Sequence, residues 1–211
     1  NSYPQFLEKT GNLALALGVK SLPQTLLIDP RGHVVVQLQR PIDPQQMELL
    51  QTQMNLLSDL GHVPPFTFES SRPGKPVTQV TFNHKVWVAD FIYTSCSGTC
   101  PMLTSKMHLL QEAFKNDDRF KLASISVDPE TDTQEVLQAY QKKHDANPEK
   151  WYFLRGSMEE VKRLLVNGFK LGTLDNPEFH SGKFILIDQS SRIRGYYDAD
   201  SSESFEKLKS D

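Results

Sequence analysis

Apolar positions along the chain follow two alternating periods. Val86-Trp-Val-Ala-Asp-Phe-Ile92 is apolar apart from Asp90, the pattern of a strand buried on both faces. Leu103, Met107, Leu110 and Phe114 then recur at helical spacing, so a helix opening near Pro101 buries one stripe. Phe120 to Val127 predicts a second strand of parallel type. Asp132 or Thr133 caps a helix through Tyr140 and His144, Trp151 to Leu154 predicts another strand, and Ser157 caps a helix from Met158 to Phe169. Short strands at Phe66 to Phe68 and Val77 to Val80 come before these elements. Phe184 to Asp188, Ile193 and a helix after Ser201 come last. Strands alternating with helices predict an α/β fold with a central mixed sheet flanked by helices.

Residues 1–61 read differently. A helix around Phe6 to Leu17 is followed by strands at about Thr25 to Ile28 and Val34 to Leu38, joined by Pro30-Arg-Gly32 as a hairpin. Asp43-Pro44 then opens a helix with Met47, Leu50, Met54 and Leu57 on one face. The pattern returns 159 positions on, where Ile185-Leu-Ile-Asp188 matches Leu26-Leu-Ile-Asp29 and Ile193 stands for Val34. Such a repeat predicts two copies of one fold, with only the closing half of the first present in residues 1–61. His62-Val-Pro-Pro65 reads as a linker, and residues 62–211 as the complete domain.

Composition narrows the function. The 211 residues hold 23 Lys and Arg against 26 Asp and Glu, with no block of either sign, so nucleic acid is not an expected partner. No run approaches the ~18 apolar residues of a membrane span. Membrane attachment is expected only through an anchor missing from this chain.

The chain has two cysteines, Cys96 and Cys100. They lie between the apolar strand and a helix N-terminus, where unpaired amides and the helix dipole favour thiolate. A disulfide across so short a loop would constrain the unfolded chain little, so a redox or metal-binding dithiol is the better reading. Two soft sulfurs and an imidazole suit copper, whereas structural zinc demands four ligands and finds no second Cys pair. Six histidines compete for the third place. His108 and His144 fall on helices, His33 and His84 at turns or strands, and His62 in the linker. His180 stands just before the strand from Phe184 and is the candidate, with an ordinary hydrogen-bonded loop histidine as the alternative.

The segment Thr94-Ser-Cys96-Ser-Gly-Thr-Cys100-Pro101, the segment Ser126-Val-Asp-Pro-Glu-Thr-Asp-Thr133 and the pair His180-Ser181 together resemble the Sco/SenC family. The likeness runs from about Phe66 to the end. It implies a thioredoxin-like fold, copper bound as Cu(I) or Cu(II) by Cys96, Cys100 and His180, and a metallochaperone for the dinuclear copper centre of cytochrome c oxidase. Its partners would be the copper-bearing oxidase subunit and other copper or dithiol proteins, in an extracytoplasmic setting such as the bacterial periplasm. Asp128 and Asp132 belong to the second motif, and turn formation and helix capping are their expected roles. Residues 1–61 resemble the closing half of a TlpA-like thioredoxin domain, with Leu22-Pro23 at the position of the fold's cis-proline. An enzymatic alternative uses the same residues: Cys96 and Cys100 cycling as a thiol-disulfide oxidoreductase. The Cys-x-x-x-Cys spacing and the absence of a Trp before it favour copper. A peroxidase reading lacks the Pro-x-x-x-Thr-x-x-Cys arrangement and a distant resolving cysteine.

Overall fold

The computed structural model describes residues 25–28, 34–38, 60–74, 76–172 and 182–211, and the chain divides into two units between Asp59 and Leu60. In the second unit, continuous β-branched and aromatic runs form strands whose order is set by one buried centre. The strands are β3 (Thr67–Ser70), β4 (Val77–Thr78), β5 (Val86–Ile92), β6 (Phe120–Ser126), β7 (Trp151–Arg155), β8 (Lys183–Ile187) and β9 (Ile193–Asp198). They make one sheet in the order β4-β3-β7-β6-β5-β8-β9. β5, β6 and β7 run parallel, and the strands outside them pair antiparallel, which gives the mixed sheet that the alternation predicts.

Side-chain alternation divides the core into two layers. Trp87, Ala89 and Phe91 of β5 face one layer with Phe66, Phe68, Phe82 and Phe169. Val88 and Ile92 face the other. There they meet α1 (Cys100–Ala113), α2 (Gln134–Lys143) and α4 (Ser202–Ser210), whose buried stripes include Leu103, Met107, Leu110, Leu137, Phe205 and Leu208. α3 (Met158–Arg163) lies on the first side and continues into a π-helical turn, Leu164–Gly168, so the expected single helix changes hydrogen-bonding pattern within its second half. Ser157 and Glu160 close a capping box on it. Gly156 has no side chain for a packing reason: a Cβ there would lie 2.3 Å from the Phe68 ring.

The stretch expected as a linker is part of the second unit. The Ile193 amide donates to the Gly61 carbonyl and the Val63 amide to the Ser191 carbonyl, both at 2.9 Å. Val63 and Phe66 are buried in the first layer. The apolar side chains at Val63 and Phe66 outweigh the loop character that Pro64 and Pro65 suggest.

In the first unit, β1 (Thr25–Ile28) and β2 (Val34–Leu38) pair antiparallel, as expected. Their register repeats that of β8 and β9. Thr25, Leu26, Leu27 and Ile28 oppose Leu38, Gln37, Val36 and Val34, with a slip between Leu27 and Ile28. Phe184, Ile185, Leu186 and Ile187 oppose Tyr197, Tyr196, Gly195 and Ile193, with the slip between Leu186 and Ile187. The 159-residue offset carries each pair, and the irregularity, onto its counterpart. The helices expected near Phe6 to Leu17 and from Pro44, the turn Pro30-Arg-Gly32 and Leu22-Pro23 lie outside the described residues.

Candidate metal centre

β5 and β6 end side by side because they are parallel, and their two following loops therefore meet at one end of the sheet. The loop after β5 carries Tyr93 to Thr99, and α1 opens at Cys100 with Pro101 in its first turn. Both cysteines are free thiols, Cys96 partly exposed and Cys100 buried. They line a cavity of about 300 Å³ together with Tyr93, Gly98, Thr99 and Gly182.

The two sulfurs sit in hydrogen-bond contact and are electrostatically unequal. Burial alone would raise the Cys96 thiol, but hydrogen bonds from the Cys100 side chain and amide, the Tyr93 hydroxyl and the Gly98 amide outweigh it and bring it down to about 7. Cys100 moves the other way, to about 12, because it is buried and gives its proton to the Cys96 sulfur. One thiol is thus accessible and ready to ionise, and its neighbour is held as the proton donor.

A buried polar seam supports this pair from below. The Thr104 hydroxyl donates to the Cys100 carbonyl at 2.9 Å, leaving the Tyr140 hydroxyl, also 2.9 Å away, to donate to Thr104. Asp90, the polar break in the β5 run, is fully buried on the α1 side of the sheet. Ser124 stands across the ladder from it, yet neither carboxylate oxygen has a well-formed hydrogen bond. Burial lifts the Asp90 carboxyl to about 7, with Ser124 moderating the rise.

Asp132 has a different role from the capping expected of it. Thr133, not Asp132, caps α2, its hydroxyl accepting from the Val136 amide. The fully buried Asp132 carboxylate instead accepts from the Thr94 amide and hydroxyl and from the Ser126 hydroxyl, the last at 2.6 Å. This ties the loop after β6 to the loop that carries Cys96. The signal in the sequence was the Ser126 to Thr133 motif itself, whose acidic residues suit a turn equally well. Asp128 does act in the turn, its carbonyl accepting from the Asp132 amide at 2.9 Å.

Among the histidines, His108 lies on α1 and His144 at the C-cap of α2, His84 in a left-handed turn position and His62 beside Arg192 in an isolated bridge. None of these four lines the dithiol cavity. Burial lowers His144 from its ordinary value. His33 and His180 lie outside the described residues. Gly182 is the first described residue after the stretch 173–181, and it lines the same cavity as the dithiol. Its φ of +57° suits glycine, and a Cβ there would reach within 3.7 Å of Thr99. Among the described residues no group of three or more Cys, His, Asp or Glu surrounds a metal position. The donors present are two sulfurs, which fit a soft ion such as Cu(I).

The SCO1/SenC family model matches residues 58–210. A SCO1 protein homolog of Bacillus subtilis is 30% identical over 156 residues, spanning 71% of this chain and 80% of that protein. The crystal structure of a SCO1/SenC family lipoprotein from Bacillus anthracis superposes with a TM-score of 0.62 at 32% identity, covering 70% of this chain and 90% of that one. The structure of BsSco, described as a Sco family cytochrome c oxidase assembly protein with a disulfide switch, gives 0.60 at 28% identity over 71% and 90%. Bradyrhizobium japonicum ScoI with copper bound shares the fold, with a TM-score of 0.57 at 24% identity over 71% and 99%. The fold of residues 60–211 is thioredoxin-like, as expected.

Proposed function

The chain belongs to the SCO1/SenC family, and on that premise we propose that it is a copper metallochaperone whose cargo site is Cys96, Cys100 and His180. The observation that carries this reading is the pair of free thiols in mutual hydrogen-bond contact, lining a cavity together with Gly182. Two thiolates match a soft cation, and His180 stands two positions before Gly182, which lines the same cavity as both cysteines, and three before β8. Copper is cargo here, taken as Cu(I) or Cu(II). Cys96 is the more exposed ligand, so an acceptor's sulfur or imidazole displaces it first and the ion passes by ligand exchange.

The acceptor in this reading is the copper-bearing subunit of cytochrome c oxidase, supported by the role stated for the BsSco relative. An extracytoplasmic setting, such as the bacterial periplasm, is supported by the lipoprotein relative. No helix of the described residues is long and apolar enough to cross a membrane. We read residues 1–61 as the closing half of a second thioredoxin-like domain and 62–211 as the copper domain. The shared register and slip of the two hairpins supports that division.

The asymmetry of the dithiol favours a second reading, a thiol-disulfide oxidoreductase. In that reaction the Cys96 thiolate attacks a partner disulfide and displaces one partner thiolate. Cys100 then resolves the mixed disulfide, leaving Cys96–Cys100 oxidised and the partner reduced by two electrons. His180 separates the two readings. In cells, His180→Ala is expected to impair oxidase maturation, while the purified variant keeps the dithiol reactivity of the wild type. Intact oxidase assembly with collapsed disulfide reduction would reverse the assignment.

A further inference from the structure

Tyr93 reaches both sulfurs through different groups. Its carbonyl accepts the Cys96 amide at 3.2 Å, its amide hydrogen-bonds the Cys100 sulfur, and its hydroxyl hydrogen-bonds the Cys96 sulfur. Its ring packs against both core layers at the end of β5, which fixes the direction of the phenol, and it lines the dithiol cavity. The backbone contacts belong to any residue at this place. The hydroxyl does not.

A hydroxyl donated to sulfur interacts most strongly with a thiolate and more weakly with a neutral disulfide sulfur. It therefore favours the state in which Cys96 carries electron density. We propose that Tyr93 is a positioning residue whose hydroxyl biases the Cys96–Cys100 pair toward the reduced dithiol, the form able to hold copper cargo. This rests on the copper reading of the same pair for its purpose, but not for its test. The balanced couple is disulfide plus two electrons and two protons giving dithiol, with glutathione as the reductant: two thiols become one glutathione disulfide.

The test compares wild type with Tyr93→Phe, which keeps the ring and all backbone contacts. Each metal-free protein is equilibrated across a series of reduced to oxidised glutathione ratios at fixed pH, and the dithiol fraction is counted by thiol labelling. A charge-assisted hydrogen bond is worth enough to shift such an equilibrium about tenfold, so the variant is expected to be about tenfold harder to reduce, a midpoint ~30 mV lower. A midpoint within twofold of wild type in equilibrium constant overturns the proposal. Parallel copper titration of the reduced wild type tests the copper reading separately. If no copper binds while the midpoint still falls, Tyr93 keeps its role and the cargo assignment fails.

Discussion

The two faces of the central sheet are packed by different rules. The face away from α1 is built on rings: Phe82 stacks on Trp87 at 4.4 Å, and Phe66, Phe68, Phe91 and Phe169 complete a chain of aromatic contacts. Its buried polar groups include the Trp87 indole N–H, which has no hydrogen-bond partner. The α1 face is also apolar in the main, but Asp90, Ser124, Ser126, Thr104 and Gln141 are buried in it or at its edge. The face that holds the dithiol therefore carries a set of buried polar groups, which cost stability unless they are hydrogen-bonded. The contrast teaches that the ring-packed layer and the buried polar groups sit mainly on opposite sides of β5, Trp87 on one and Asp90 on the other, while the dithiol cavity touches both, being lined by Phe91 of the first layer and Leu103 of the second.

The largest expected effect tests the ring-packed face. Phe82→Ala should destabilise the domain by about 3–5 kcal/mol, the range for deleting a fully buried ring. In urea unfolding the midpoint should fall sharply, while the folded variant keeps wild-type copper stoichiometry. A variant that remains folded but binds no copper would show that the faces are not separable.

Asp90→Asn acts in the opposite direction. The unfolded chain loses this proton near 3.8 and the folded chain keeps it to about 7, so protonation favours the folded state. Wild-type stability should fall as pH rises from about 4 to 7, by at most about 4 kcal/mol, and stay low above that window. The Asn variant should lose that slope and exceed wild type at pH 8. Parallel stability curves for the two proteins would remove Asp90 as a strained group.

Asp132→Ala should cost about 2–3 kcal/mol, because Thr94 and Ser126 lose a buried acceptor. Amide exchange should quicken at Thr94 and Cys96 more than in β8. Uniform quickening across the sheet would make Asp132 a general core residue, not a tether of the dithiol loop. The smallest change is expected outside both faces. Arg72→Ala removes the exposed ion pair with Glu149 and should alter unfolding by under about 1 kcal/mol.

Much of this was legible in the chain. The β5 run, the α1 stripe and the Ser157 and Ser201 caps follow from local period and side-chain chemistry, and the structure bears them out. The hairpin Thr25 to Leu38 followed from its two apolar runs and the turn residues between them, and the repeat agreed with it, although its slip had no local signal. What stayed hidden were interactions between distant segments. Asp132 reads as a cap because capping is local, whereas its bond to Thr94 spans 38 positions and depends on β5 and β6 being neighbours. Tyr93 was passed over for the same reason: a tyrosine near a strand end is usually core, and only the folded loop turns its hydroxyl onto Cys96. His180 came from its place before β8 and from the family resemblance, and lies outside the described residues.

The central claim is that copper is held by Cys96, Cys100 and His180. Anaerobic copper titration of the reduced protein, read by X-ray absorption, tests it most directly. One copper per chain with mixed sulfur and nitrogen ligation is expected, with nitrogen ligation and affinity reduced in His180→Ala and binding lost in Cys96→Ser/Cys100→Ser. Full binding by the double cysteine variant, or unchanged affinity in His180→Ala, would contradict the account.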